Sequence, residues 1–388
     1  MLRFLHTADI HLGARHADLG EQATAQRERQ FAAFRRSVDL AIEERVDLFL
    51  IAGDLFDSNT QPRRSVERVA AELHRLVMAG IRTALIPGTH DCYDRSSIYR
   101  SHDLAALAGA PAAGDMVVVL TPDRPDVVLP TLDAVVYGRV FETKRAPRSP
   151  LAGLDARADG RATWRIALVH GALAIAGMTD GDEVVFTAEE IAASGLDYLA
   201  LGHWHSMLTA RAGAVRYGYP GAPEPVAVDQ DRAGKVLLVT LDIVNRARSV
   251  TVEERTVGRT TFRRLDMDAA ELPSQAAFIG RLIADADPDL VLDVRLTGVR
   301  QDELDLDMDE VESALASSFL KVRVRDASVP ALSTGPIPGP DTISGAFIRD
   351  LEARIADLEA AEDGELAREM RDVLRLGRLL LSGQEVTL

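Results

Sequence analysis

Five short stretches of this 388-residue sequence end on residue types that bind divalent cations. They are Asp9-Ile10-His11, Gly53-Asp54 with Asp57, Thr89-His90-Asp91, His170-Gly171, and Gly202-His203-Trp204-His205. Together they contain five of the nine histidines. Imidazole and carboxylate without thiolate suit manganese, iron or zinc, and magnesium less well given so many nitrogens. Two cations roughly 3.5–4 Å apart need an anionic ligand between them and can activate water for in-line attack on phosphorus. Asp54, central among the candidates and preceded by an apolar run, is the natural bridge. His203 and His205 flank Trp204, and two adjacent metals can each take one. A lone Asp-x-His or a lone His carries little weight, but five in order, each after a strand-like run, do. His6, His16, His74 and His102 fall outside the pattern and are expected to be structural or solvent-facing. Cys92 is expected to be a small buried or loop residue.

The elements that must position these residues are readable from periodicity. Short apolar runs such as "VDLFLIAG" (46–53), "IRTALIPG", "WRIALVHG" and "LDYLALGH" alternate with helical stretches through the first 200 residues. An amphipathic helix is expected around 21–45, with Phe31, Phe34, Val38 and Ile42 on one face, and another after Pro62. Alternation of this kind predicts a layered α/β domain. In α/β sheets, sites gather at the carboxyl ends of strands, so five such ends can converge in one crevice. The texture changes at about 245. A first domain (1–245) is followed by a small α+β domain (246–330), a Pro/Gly-dense linker (331–340, containing "STGPIPGP") and a helical segment (341–388). The last carries Ile343, Phe347, Leu351, Ile355 and Leu358 along one helical face, then Leu366, Met370, Val373 and Leu374. That stripe fits core packing, a homodimer seam or a docking face equally well.

Charge and composition bound the function. The single cysteine excludes an intrachain disulfide framework and a cysteine-based zinc cage. The first residues, MLRFLHTAD, read as a strand with no basic-then-apolar leader, and no apolar run approaches the ~18–20 residues of a membrane span. The expectation is a soluble cytoplasmic protein. The net charge of −16 argues mildly against tight nonspecific binding of nucleic acid by the chain alone. Residues 1–245 hold 26 basic against 32 acidic residues, which leaves room for a local basic groove.

The segments D-x-H, GD-x-x-D, G-x-H-D, a lone H-G and G-H-x-H, in this order, resemble the calcineurin-like metallophosphoesterases. "HTADIHLG" and "AGDLFD" resemble their DNA repair exonuclease branch, the SbcD type. The resemblance covers about residues 1–245 and extends to "YGYPGAPEP" (217–225). It implies a four-layer β-sandwich flanked by helices, with a small cap domain and C-terminal helices. It further implies two divalent metal ions, manganese foremost with iron or zinc as alternatives. Asp9, His11, Asp54 and His205 would hold one; Asp54, His170 and His203 would hold the other, with residue 89 as its remaining ligand. His90 would be the catalytic histidine and Asp91 would orient it or its loop. Asp57 stands where some relatives have a second working histidine, and reads equally as a loop-capping carboxylate. The family pattern is G-N-H-D, whereas this chain has Thr89 in place of the asparagine, a shorter and weaker neutral ligand. The resemblance implies a manganese-dependent DNA exonuclease acting with an SMC-like coiled-coil ATPase that docks on the C-terminal helices. Two alternatives stay open: a metallophosphoesterase of small phosphoesters, which the acidic charge and short cap favour, and a noncatalytic interaction subunit, toward which Thr89 would be a step.

Smaller features carry less. "QDELDLDMDEVE" (301–312) lacks the glycine and spacing of a calcium loop and reads as an acidic helix start. "TKRAPR" (143–148), "YDRSSIYR" (93–100) and "FRR" (262–264) are basic enough to touch phosphates, though such runs are usually solvated faces.

Overall fold

The computed structural model describes residues 1–388 except 17–18, 20–21, 113, 147, 176–183, 226–229, 231, 301–303, 305, 329–337, 362–363 and 382–388. The chain forms two compact units, Met1–Thr261 and Phe262–Leu388.

The first unit opens with β1 (Leu2–Thr7), α1 (Ala23–Glu43), β2 (Leu48–Ala52), α2 (Arg63–Met78) and β3 (Arg82–Ile86). Two single-turn helices follow, α3 (Ile98–Ser101) and α4 (Leu104–Leu107), then β4 (Val117–Val119). Next come β5 (Asp126–Leu129), β6 (Ala134–Arg139), β7 (Trp164–His170), β8 (Ala172–Leu173), β9 (Val185–Phe186), α5 (Ala188–Ala193), β10 (Tyr198–Gly202), β11 (Leu208–Ala212) and β12 (Val215–Tyr219). The unit closes with the hairpin β13 (Lys235–Val244) and β14 (Ala247–Thr256). One six-stranded sheet runs β14-β13-β1-β2-β3-β4 and a second runs β11-β12-β10-β7-β6-β5, while β8 pairs with β9. Within the sheets β1, β2, β3 and β4 are parallel, as are β6, β7, β10 and β12.

Alternate residues of each strand supply two cores. Leu48, Leu50, Ala84 and Ile86 of the first sheet meet Val136, Ile166, Leu168 and Ala200 of the second. On the outer face of the first sheet, Phe49, Ile51 and Leu85 pack under Phe34 and Val38 of α1 and Val66, Val69, Leu73 and Leu76 of α2. The outer face of the second sheet is covered by Ile191 of α5 and by Leu151 and Ala156. Helix, sheet, sheet, helix: the layered α/β expectation holds, and burial on both faces explains why β2 and β10 read as unbroken apolar runs. Helix α2 starts as its sequence suggests, with Pro62 immediately before its first residue.

The compositional break at about 245 falls in the turn between β13 and β14. These strands pair in register from Lys235↔Thr256 to Val244↔Ala247, so the first unit runs on to Thr261. The second unit holds β15 (Thr261–Asp268), α6 (Gln275–Ile283), β16 (Asp287–Thr297), α7 (Met308–Leu315) and β17 (Phe319–Asp326) around its own core of Phe278, Leu292, Val294, Val311 and Val324. Two helices follow, α8 (Ile343–Ala360) and α9 (Gly364–Leu381), packed so closely that a Cβ on Gly377 would lie 2.1 Å from the Phe347 ring. Most of the linker expected at 331–340 lies outside the described residues. On α8 the buried apolar residues are Ile348, Leu351 and Ile355, whereas Ile343 is exposed.

Candidate metal centre

All five cation-competent segments come together at one end of the sandwich. Asp9 and His11 follow β1, Asp54 follows β2, the Gly88–Asp91 loop follows β3, His170 is the last residue of β7, and His203 follows β10. Because β1, β2 and β3 are parallel neighbours in one sheet and β7 and β10 in the other, stacking the sheets superposes their carboxyl ends. The loops are then stitched by backbone bonds: Asp9 N–H to Gly53 O (3.1 Å), and Ile10 and His11 N–H to Asp54 O (2.9 and 3.0 Å). Asp9, His11, Asp54 and His203 all have positive φ, uncommon for non-glycine residues and a mark of functional loops.

Three histidines are tethered at Nδ1 and turn Nε2 inward. His170 Nδ1 donates to Ala52 O (2.9 Å), His205 Nδ1 lies 2.6 Å from the Gln230 side-chain amide, and His11 Nδ1 lies 3.5 Å from Asp57 Oδ1. For His170 and His11 an acceptor at Nδ1 selects the tautomer and leaves Nε2 to face a cation, whereas the Gln230 amide fixes the orientation of the His205 ring. The free nitrogens meet other lone pairs. His11 Nε2 faces His205 Nε2 at 3.1 Å, and His170 Nε2, buried without a well-formed hydrogen bond, sits 3.2 Å from Asp54 Oδ2. Lone pairs held this close need a proton or a cation between them, and the two pairs mark two candidate cation positions.

The ligand sets follow. Asp9, His11 and His205 offer atoms within 4.8 Å of one another, and so do Asp9, Asp54 and His170. Asp54 also approaches the first set, with Oδ2 3.8 Å from His11 Nε2. His203 is held by its N–H to the Asp9 carboxylate (2.9 and 3.0 Å), and its ring stands edge-on to His170 at 5.4 Å. Thr89 Oγ1 reaches Asp54 Oδ2 only at 3.4 Å. His11, Asp57 and His90 form a third group, His90 being exposed. The His90 Nδ1 binds Asp57 O (3.1 Å), its N–H binds Asp54 Oδ1 (2.8 Å), and its ring stands edge-on to His11 at 4.6 Å.

The electrostatics agree with a cation site. Burial pushes the Asp9 carboxyl up to about 7. Burial also opposes charge on His170, but the Asp54 and Asp9 carboxylates outweigh it and raise that imidazole to about 10. Asp54 is held well below the usual carboxylate range because His170, His11 and His90 outweigh its burial. His205 is pushed down to about 3 by burial and by its neighbour His11. Protons on imidazoles and Asp9 balance the charge in the protein alone, and divalent cations can take their place. The residues present therefore fit two metal ions.

Residues 2–207 match the calcineurin-like phosphoesterase family. The chain belongs to that family. Over 281 residues this phosphoesterase is 30% identical to the DNA double-strand break repair protein Mre11 of Aeropyrum pernix, covering 70% of this chain and 64% of that protein. It is 27% identical over 239 residues to the uncharacterized metallophosphoesterase YhaO of Bacillus subtilis (57% and 52% covered), and 28% over 266 residues to a subunit of the nuclease SbcCD of Rhodobacter capsulatus (59% and 64%). The chain thus spans about half to two thirds of the length of these curated relatives.

Asp91 sits where the G-x-H-D motif put it, whereas its partners Phe56 and Tyr99, and the tethers Gln230 and Ala52, carry no motif. Asp91 is fully buried and holds the His90 loop: Oδ1 accepts Gly88 N–H (2.7 Å), and Oδ2 accepts Phe56 N–H (3.1 Å) and Tyr99 O–H (2.5 Å). Gln230 and the Ala52 carbonyl aim two histidines. Gly88 and Gly202 permit the close approach itself. A Cβ on Gly88 would lie 2.2 Å from Asp54 Oδ1, and one on Gly202 would lie 2.1 Å from Ala52 O and 2.9 Å from His170 Nδ1. The usable signal was positional, a glycine one or two residues before a ligand-bearing position.

The remaining histidines stay out of the centre. His6 bonds Tyr198 (3.1 Å), His16 bonds Gln30 (2.9 Å) and His74 bonds Ala108 O (2.9 Å). Cys92 is buried, and burial pushes its thiol up to about 11. In "YDRSSIYR", Arg100 pairs with Glu142 (2.9 Å) and lies over the Tyr93 ring. "FRR" likewise pairs with Asp285 and Asp293 of its own unit. Among the described residues no helix is long and apolar enough to cross a membrane.

Proposed function

We propose that the chain is a dinuclear metal-dependent phosphodiesterase acting on DNA, an exonuclease subunit working with an SMC-like ATPase. The observation that carries the phosphoesterase chemistry is the pair of facing lone-pair contacts, His11 with His205 and His170 with Asp54. Two divalent cations, manganese foremost, would supply positive charge against the phosphodiester and acidify water for attack. Asp9, His11 and His205 would hold one; Asp54 and His170 the other, with His203 and Thr89 beside it. His90 reaches past these ligands, its Nδ1 fixed by Asp57 O, so its Nε2 is free to protonate the departing sugar oxygen. Asp57 serves that geometry from both ends, through its carbonyl to His90 and its carboxylate toward His11.

A polyanionic substrate is favoured by the ground beside the centre. A cavity of about 430 Å³ is lined by Leu12 and Gly13, directly after His11, and by Gln61 and Pro62, shortly after Asp57. Arg15, Arg27, Arg64 and Arg68 also line it, against the single carboxylate, among the described residues, of Glu28. Glu28 is occupied by Arg68 (2.7 and 2.9 Å), while Arg15 and Arg64 are exposed. This local concentration of guanidinium, on a chain of net charge −16, suits a phosphate backbone better than a single small ester. The names of the Mre11 and SbcCD relatives support the same substrate. For the ATPase, the support is the apolar residues left exposed on the C-terminal helices, Ile343, Leu366, Val373 and Leu380.

The test is degradation of end-labelled duplex DNA in Mn²⁺ beside His90→Ala. Wild type should release label, and H90A should be slower by about 10²–10⁴-fold. Hydrolysis of small diesters with no action on DNA, alone or with an ATPase partner, would overturn the nuclease reading and keep the phosphoesterase one.

A further inference from the structure

One cavity away from the metal ligands holds an arginine whose Nε has no partner among the described residues. It has a volume of about 250 Å³, and its described lining includes Arg139, Arg148, Ser149 and Phe141 but no carboxylate. Arg139 is the last residue of β6. Its Nε is buried without a hydrogen-bond partner, and burial lowers the guanidinium from its ordinary value. Asp126 is the carboxylate that bears on it, but both Asp126 oxygens are taken by Arg161, each at 3.0 Å. A guanidinium partly removed from water, with its Nε unpartnered and Asp126 bound to Arg161, leaves positive charge facing the cavity that an anion would match.

Its place in the fold says which anion. β6 lies beside β7 with Arg139 opposite Val169, and the next residue of β7 is His170. Past Arg139 the chain turns along the loop that carries His90: Cys92 Sγ points to Phe141 O (3.9 Å), and Arg100 holds Glu142 (2.9 Å). The cavity therefore neighbours the catalytic loop, one strand over from a metal ligand. "TKRAPR", the basic run noted in the sequence, leads into it and contributes Arg148, exposed at its rim.

We infer that this cavity is a phosphate subsite, formed by Arg139 and Arg148, for a phosphate of the strand adjacent to the one under attack. The inference rests on the nuclease reading for its ligand but not on turnover. Planar guanidinium groups match phosphate oxygens in pairs, and Ser149 adds a hydroxyl at the same wall.

The experiment is equilibrium binding of a fluorescein-labelled single-stranded oligonucleotide, followed by anisotropy in EDTA so that cleavage does not intervene. Hydrolysis of bis(p-nitrophenyl) phosphate by wild type in Mn²⁺ reports the metal centre separately. Arg139→Met should weaken the Kd by at least about tenfold, the scale of one charge-assisted contact, with Arg139→Lys intermediate. Arg148→Gln, at an exposed position, tests the same cavity should R139M fold poorly by thermal unfolding. A methylphosphonate linkage that neutralises one backbone phosphate should weaken wild type but add nothing to R139M. Unchanged Kd in both R139M and R148Q, or no wild-type binding, overturns the subsite. Inorganic phosphate is the second probe: if it competes with the small diester less well in R139M while oligonucleotide Kd is unmoved, the cavity takes free phosphate and the strand contact is overturned. A Kd shift with no small-diester hydrolysis upholds the subsite and overturns the phosphoesterase reading instead.

Discussion

Asp91→Asn is a sharp test of how the centre is held, because the change removes no atoms and touches no proposed metal ligand. All three groups around Asp91 donate: Gly88 N–H to Oδ1, and Phe56 N–H and Tyr99 O–H to Oδ2. An asparagine accepts at one end only. If its oxygen keeps Gly88, its amide faces the Phe56 N–H; if its oxygen keeps Phe56, the amide faces the Gly88 N–H. Tyr99 can rotate its hydroxyl to accept, but a backbone N–H cannot. One buried N–H is therefore left without an acceptor, costing about 1–3 kcal/mol, and the surviving bonds lose their charge assistance, about 1 kcal/mol each. Burial and the nearby Asp54 both raise the Asp91 carboxyl, so the neutral side chain recovers part of this. The net expectation is roughly 2–4 kcal/mol of lost stability, or roughly 4–16 °C in Tm for a unit of this size. Function should follow stability, because His90 N–H and the Gly88 backbone both abut Asp54 and a slack loop would leave that carboxylate less fixed. Calorimetry of wild type, D91N and Tyr99→Phe, with and without Mn²⁺, reads the effect. Y99F loses only the 2.5 Å bond and should fall between the other two. A D91N protein within about 0.5 kcal/mol of wild type would refute the reasoning, since that is the range of an ordinary surface change.

Other substitutions and conditions probe the remaining parts. Gly202→Ala should cost about 1–3 kcal/mol and abolish binding of the ion beside His170, because the added methyl meets the Ala52 carbonyl at 2.1 Å; isothermal titration with Mn²⁺ checks this, and an intact two-ion isotherm would sink it. Thr89→Asn should tighten the weaker Mn²⁺ about five- to tenfold by supplying a carbonyl in place of a hydroxyl, read by the same titration. Uptake of Mn²⁺ at pH 7 should release roughly one to two protons, since His170, raised to about 10, and Asp9, raised to about 7, both hold protons that ligands must shed. Affinity should therefore rise from pH 6 to pH 8, and titration in two buffers of different ionisation heat counts the protons.

How much of this was legible in the sequence depends on which interaction makes each part. The candidate ligands were legible because each ends or follows a strand that is apolar on both faces, so the end of the apolar run marks the end of the strand. The edge of the first sheet was not. β14, "ARSVTVEERT", is polar along most of its length and belongs to the unit through backbone pairing with β13, which composition does not register; hence the apparent break at 245. The tethers were hidden for a similar reason. The Ala52 carbonyl has no side-chain signature, Gln230 sits in a stretch without periodicity, and Tyr99 reaches Asp91 from eight residues away. Net charge is silent on local clustering, since a sum over 388 residues says nothing about Arg15, Arg27, Arg64 and Arg68 lining one cavity. These gaps have one physical origin. Residue type reports what an atom can donate or accept, whereas this centre is made by what its atoms are forced to face: Nε2 against Nε2, Nε2 against a carboxylate, and a glycine where any Cβ would intervene. A variant that keeps every ligand and adds one methyl at Gly202 separates the two contributions, and the expectation is that the methyl alone dismantles the site.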